Sequence, residues 1–214
     1  RLHTFTGQPW VDMPGIKGKL ARFSDWTIGK LNTRCYADSK SQREFLIQQR
    51  IVERDRIFVI GTGSLAGVDI HRFDPSRFSI SDRASLKAAC GISAEDHVIL
   101  FLGRITVDKG VRELLSAFKR IKSLRSNAHL LFVGQFDMDS GAAGIVSKDE
   151  IESLPDTHIV GYTDCPEAYL AIADILCLPS YREGFGTVVI EAASMGVPTI
   201  GTNIYGLSDA VIHG

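Results

Sequence analysis

From about residue 96 onward, apolar runs of strand length alternate with amphipathic stretches, and this alternation limits the possible folds more than any other feature of the chain. The runs are His97 to Leu102 (HVILFL), His129 to Val133 (HLLFV), His158 to Val160 (HIV), Asp174 to Leu178 (DILCL) and Pro198 to Ile200 (PTI). They are apolar without a strict period of two, which is the pattern of strands covered by helices on both faces of a parallel sheet. Between the first two runs, Val111, Leu114, Leu115, Phe118 and Ile121 recur at helical spacing, with Arg112, Glu113, Lys119, Arg120 and Lys122 on the other face; this is a covering helix. Pro166 opens a second helix (PEAYLAIAD), and Thr187 a third that ends near Gly196, ahead of Pro198. The expectation is an α/β fold with a doubly wound, Rossmann-like parallel sheet. Such sheets bind ligands beyond the carboxyl ends of their strands, which points at the loops after Leu102, Val133, Val160 and Leu178.

The first 60 residues carry the same rhythm less completely: a strand near Leu2 to Phe5, a helix around Lys19 to Leu31, a short strand at Cys35 to Ala37, a helix from Ser39 and a strand at Arg56 to Ile60. They are expected to be the tail of an amino-terminal α/β domain. Residues 61–75 (GTGSLAGVDIHRFDP) are rich in glycine and turn formers and read as a linker, leaving 76–214 as a carboxy-terminal domain that is incomplete at its end. A length of 214 residues suits that division better than two full domains. The chain opens on Arg1 in mid-pattern and stops at Gly214 without closing its last unit, so a fragment is expected.

The net charge of −1 hides a surplus of +5 over the first 60 residues and −6 over the remaining 154. Such a basic front suits an anionic lipid or acidic acceptor as well as an ordinary solvated face, and no nucleic-acid partner is expected. No run approaches the roughly 18 apolar residues of a spanning helix. Cys35, Cys90, Cys165 and Cys177 are far apart and form no CxxC pair, so buried reduced thiols of a cytoplasmic protein are expected rather than metal ligands or disulfides.

Two constellations carry chemistry. Gly103-Arg104-Ile105-Thr106-Val107-Asp108-Lys109-Gly110 lies between a strand and the next helix, so two cations stand where a ligand is expected. A departing nucleotide diphosphate develops negative charge, which an Arg and a Lys beside glycine-freed backbone can neutralise without a metal. The second is Arg182-Glu183-Gly184-Phe185-Gly186-Thr187-Val188-Val189-Ile190-Glu191-Ala192, again a strand end, a glycine turn and a helix start. Free amides there suit a phosphate. Glu183 and Glu191 would repel that anion, so they make sense as acceptors from neutral sugar hydroxyls.

At these residues the chain resembles the retaining glycosyltransferases of the GT-B class, the family-4 type that builds capsules, O-antigens and glycolipids. The likeness rests on an EGFG…E signature with Glu183 and Glu191 separated by seven residues. GRITVDKG, LLFVG, IVGYTD, ADILCLPSYREGFGTVVIEAASMGVPTIGT and GLSDAV follow the family order, GVDIHRF resembles its linker element, and HTFTG resembles its active-site histidine loop. The resemblance implies that Arg104 and Lys109 grip the diphosphate, with Gly103 beside them. It implies that Glu183 bonds the donor sugar with the amides of Phe185, Gly186 and Thr187, that Glu191 holds the ribose hydroxyls, that Tyr162 lies beside the base, and that His3 approaches the sugar.

The implied reaction moves a hexose or N-acetylhexosamine from a nucleotide diphosphate carrier, UDP by the habit of capsule-building relatives, to a glycan or polyprenyl-diphosphate-linked acceptor. Configuration is retained and no metal or other cofactor is required. A nucleotide-sugar epimerase on the same scaffold and a binding module without turnover are the alternatives. Asp137-Met138-Asp139 has the form of a metal-binding DxD, but it follows a strand of a doubly wound sheet and reads as a solvated loop. Gly15 to Arg34 mixes Ile16, Leu20, Phe23, Trp26, Ile28 and Leu31 with Lys17, Lys19, Arg22, Lys30 and Arg34. It reads equally as a helix on the inner face of the cell membrane or as a core-packing helix with a basic outer face.

Overall fold

The computed structural model describes residues 1–136 and 146–212, so the Asp137-Met138-Asp139 triplet lies outside the described residues. Two compact units form: one of Arg1–Gly67, Arg182–Thr187 and the stretch from Asn203, the other of Val68–Tyr181 and Val188–Thr202. Residues 182–187 and those from 203 onward, read from the sequence with the carboxy-terminal domain, thus fold with the first unit.

In the first unit, β1 (Leu2–Phe5), β2 (Arg34–Ala37) and β3 (Ile57–Phe58) form a parallel sheet in chain order, with α1 (Gly15–Leu31) and α2 (Lys40–Gln48) as crossovers. Ser39 caps α2 by accepting from the Gln42 amide at 3.1 Å. Phe5, Trp10, Cys35, Ala37, Leu46, Ile51, Val52 and Ile57 make the core. Gly18, Ala21, Ile28 and Gly29 of α1 are turned inward, while Ile16, Leu20, Phe23 and Leu31 are exposed by 76%, 62%, 62% and 62%. The helix packs inward as the core-packing reading expects, but its outer face is not simply basic, since large apolar side chains are turned out among Lys17, Lys19 and Lys30.

In the second unit, β4 (His97–Leu102), β5 (Ala128–Val133), β6 (Thr157–Gly161), β7 (Ile175–Leu178) and β8 (Thr199–Gly201) form one parallel sheet of order β6-β5-β4-β7-β8. The strand order reverses beside β4, as doubly wound sheets require. All six residues of β5 are buried, and the Phe101 and Phe132 rings meet at 5.4 Å. The helix α4 (Val111–Leu124) buries Val111, Leu114, Leu115 and Phe118 of the stripe its spacing indicates, whereas Ile121, expected with them, is exposed. The flanking helices are α3 (Ile80–Ala89), α5 (Lys148–Glu152), α6 (Pro166–Leu170) and α7 (Thr187–Ser194), the last opening on a residue of the first unit.

Two local expectations are corrected. The helix α6 stops at Leu170 rather than running through PEAYLAIAD, because the chain turns into β7 and the Asp174 Oδ2 accepts from the Val98 amide at 2.7 Å. Cys35 is buried and burial pushes the Cys177 thiol up to about 11, but Cys165, in the loop before α6, is exposed.

At the amino ends of β5 and β6, His129 Nδ1 lies 2.9 Å from His158 Nε2, and His129 Nε2 lies 3.1 Å from Asp96 Oδ2. Lys122 pairs with Asp156 beside them at 2.5 Å. Burial and then the neighbouring His129 hold His158 below the ordinary histidine range. A depressed folded value means that the contribution of His158 is complete above its unfolded pKa of about 6.5 and is lost as pH falls through the folded value. We expect the melting temperature to be level between pH 8 and 7 and to fall on acidification from pH 6.5. The slope should be shallower in His158→Gln, and identical slopes in the two proteins would remove His158 from the acid response.

Candidate functional site

The carboxyl ends of three strands open into a cavity of about 350 Å³ in the second unit. The residues following β4 supply Gly103 and Arg104, those following β5 supply Gly134 and Gln135, and those following β6 supply Tyr162, Thr163 and Pro166. Val188 and Glu191 face it from α7. The cavity therefore sits where a doubly wound sheet gathers its loops.

Its rim is braced by backbone bonds that continue the ladder beyond the strands. The Ile105 amide donates to the Gln135 carbonyl at 2.8 Å, and the Gly134 amide to the Gly161 carbonyl at 2.8 Å. Gly134 has φ +148, and a Cβ there would lie 1.8 Å from the Gly103 carbonyl oxygen, so only glycine lets the two loops approach this closely.

Arg104 is exposed on the rim, and Glu191 is half-buried. Burial raises the Glu191 carboxyl above the ordinary range; Arg72 opposes this and Glu167 adds to it. The Tyr162 hydroxyl donates to Asp164 Oδ1 at 2.8 Å, and that carboxylate raises the phenol. A cation and a half-buried carboxylate on one cavity can hold a ligand that is anionic at one end and carries hydroxyls at the other.

Of the residues singled out from the sequence, Gly103, Arg104, Tyr162 and Glu191 meet on this cavity. Lys109 does not line it. It ends a 3-10 turn, Val107–Lys109, ahead of the left-handed Gly110 that starts α4. Glu183, Phe185, Gly186 and Thr187 belong to the first unit. There a Cβ on Gly184 would lie 1.9 Å from the Thr6 carbonyl oxygen, and Phe185 is buried. His3 stands within β1 with its ring edge-on to Phe5 at 4.6 Å, whereas the residue meeting Gly184 is Thr6, just past the strand. Thr163, in the Gly161-Tyr162-Thr163 loop expected beside the base, is on the cavity; sequence reasoning missed Gln135 and Val188 there, together with the Arg72–Glu167 pair. Arg72 was hidden in a segment whose glycine content marked it only as linker. Among the described residues, no cluster of histidine, cysteine and carboxylate side chains suited to a metal ion is found.

Residues 82–214 match the family described as glycosyl transferases group 1. The capsular polysaccharide biosynthesis glycosyltransferase CapM of Staphylococcus aureus is 28% identical over 100% of this chain and 55% of its own length. A D-inositol 3-phosphate glycosyltransferase of Mycobacteroides abscessus is 32% identical over 77% of the chain and 40% of its own length. The chain thus spans about half the length of the curated relatives it matches. Among solved structures, Anabaena Alr3699/HepE in complex with UDP and glucose superposes with a TM-score of 0.78 at 18% identity, covering 100% of this chain and 55% of that one. This likeness shows the fold: parallel sheets with alternating helices, Rossmann-like, of the GT-B type.

The raised Glu191 carboxyl has a consequence for stability. Its folded pKa lies above the unfolded one, so the ionised form costs stability at pH 7, and that cost vanishes below the unfolded pKa of about 4.3. Without ligand, Glu191→Gln should melt roughly 1 to 3 °C higher at pH 7 and with no gain at pH 4. Paired thermal melts at both pH values check this, and a lower melting point at pH 7 would contradict it.

Proposed function

We propose, from the premise that this chain belongs to the glycosyl transferases group 1 family, that its second unit binds the nucleotide diphosphate sugar of a retaining hexosyl or N-acetylhexosaminyl transferase of the family-4 type. The observation that carries this reading is the cavity beyond the strand ends, with Arg104 and the half-buried Glu191 on its wall. Arg104 and Lys109 supply the positive charge that stabilises the leaving diphosphate, so that no metal is needed. Glu191 accepts from the ribose hydroxyls, and the Tyr162-Thr163 loop lies beside the base. The sugar-side roles of Glu183, of the Phe185, Gly186 and Thr187 amides and of His3 rest on the resemblance of their motifs. The donor is a UDP-sugar and the acceptor a glycan or polyprenyl-diphosphate-linked saccharide in surface polysaccharide synthesis, a reading supported by the capsule-building relative. Retention follows if the leaving phosphate takes the acceptor proton on the same face, which asks the protein for positioning and charge stabilisation alone.

We expect UDP at 100 times its Kd to stabilise the chain by about 2.7 kcal/mol, a rise of roughly 5 to 10 °C in Tm, with EDTA present or absent. Arg104→Ala, Lys109→Ala and Glu191→Ala should each abolish most of that rise. Equal shifts in the three variants would remove these residues from the site, and no shift in the parent chain would sink the nucleotide reading.

The same reading places the protein at the inner face of the membrane, where lipid-linked acceptors reside. No helix among the described residues is long and apolar enough to cross a bilayer. Support comes instead from α1, whose exposed Ile16, Leu20, Phe23 and Leu31 are interspersed with Lys17 and Lys19, the arrangement of a helix that lies in an anionic interface. Co-sedimentation with vesicles should be strong with anionic and weak with neutral lipid. The double substitution Leu20→Ser and Phe23→Ser should reduce the bound fraction by more than about tenfold. Equal sedimentation with both lipids would count against docking.

A further inference from the structure

We infer that Arg72 and Phe73, consecutive residues just before the second unit's first helix, form a tie that fixes the spacing of the two cavity walls, which makes Arg72 a positioning residue for the nucleoside half of the donor. The inference rests on the nucleotide reading of the cavity and deepens it.

The geometry lies in two sets of hydrogen bonds. The Arg72 guanidinium donates twice to Glu167 Oε2, from Nε at 3.0 Å and from Nη2 at 2.8 Å, and Nη2 also donates to the Asp164 carbonyl. These bonds fasten the first turn of α6 and the loop before it, the segment that puts Tyr162, Thr163 and Pro166 on one wall. The next residue holds the other wall. The Phe73 carbonyl accepts from Ser194 Oγ at 2.7 Å, and Ser194 closes α7, which carries Val188 and Glu191. Phe73 is itself buried, and the Arg72 guanidinium sits over its ring at 5.4 Å. The Arg72 carbonyl accepts from Arg77 Nη1 at 2.8 Å, so the tie is anchored from behind.

The charges follow the same arrangement. Glu167 is 7% exposed, a carboxylate kept out of water that depends on Arg72 for its counter-charge. Glu191 lies within the influence of both, favoured as an anion by Arg72 and disfavoured by Glu167. A lysine keeps the charge but lacks the fork that reaches a carboxylate and a carbonyl together.

The test is calorimetric titration of UMP and UDP into the chain, the Arg72→Lys variant, and a double variant carrying Arg72→Ala with Glu167→Gln, which leaves no unpaired buried carboxylate. Thermal melts of each run alongside. We expect both variants to melt close to the parent and to bind UMP and UDP about 10- to 100-fold more weakly, by the same factor for each, because the misplaced part is the nucleoside wall. Arg104→Ala, in contrast, should lower UDP affinity alone. Unchanged affinity in either variant that folds, or a loss confined to UDP, overturns the tie. A parent chain that binds neither nucleotide overturns the reading beneath it and the tie with it.

Discussion

The carboxyl ends of parallel strands all lie on one side of a sheet, and everything described for the cavity follows from that single geometric constraint. Every strand of the second unit must be followed by a loop at the same edge, and β5, buried along its whole length, fixes where that edge lies. The loops then brace one another, Gly103 against Gly134 and Gly134 against Gly161, before any side chain contributes. Arg104 needs no special folding of its own to reach the cavity, since it stands two residues past Leu102, the last residue of β4.

Much of this was legible from residue pattern. All five apolar runs lie on strands of one sheet, since a parallel strand covered on both faces needs little but consecutive β-formers. Most of the stripe of α4 and the start of α2 near Ser39 were equally plain. Less visible were features that depend on what lies across space. The helix α3 has a capping box between Ser79 and Asp82 but no strong apolar stripe, and it was passed over. The inward glycines of α1 were not read as its packing face, because composition favours large apolar residues for that role. At the cavity, Arg104 just after a strand and Glu191 beyond a glycine turn were legible. Arg72 was not, since its meaning depends on Glu167, 95 residues later.

Glu191 illustrates why such a site is not selected for stability alone. A carboxylate half withdrawn from water is costly to ionise, and the proposed ligand hydroxyls would replace the lost hydration. Arg72 offsets part of that cost and Glu167 adds to it, and the bonds between the two locate the loop that carries Tyr162. Electrostatics and shape are thus set by one side chain, which is why an arginine rather than a lysine suits the position.

The His129–His158–Asp96 cluster occupies the amino ends of the strands whose other ends form the rim. From His129 to Val133, the last residue of β5, is four residues of parallel strand, about 13 Å. The two extremities of the sheet therefore stand apart in space while sharing one hydrophobic midsection, across which charges are screened less than through salt water. Acid tolerance in this scaffold can accordingly be retuned at His158, at the pole of the sheet away from the cavity rim.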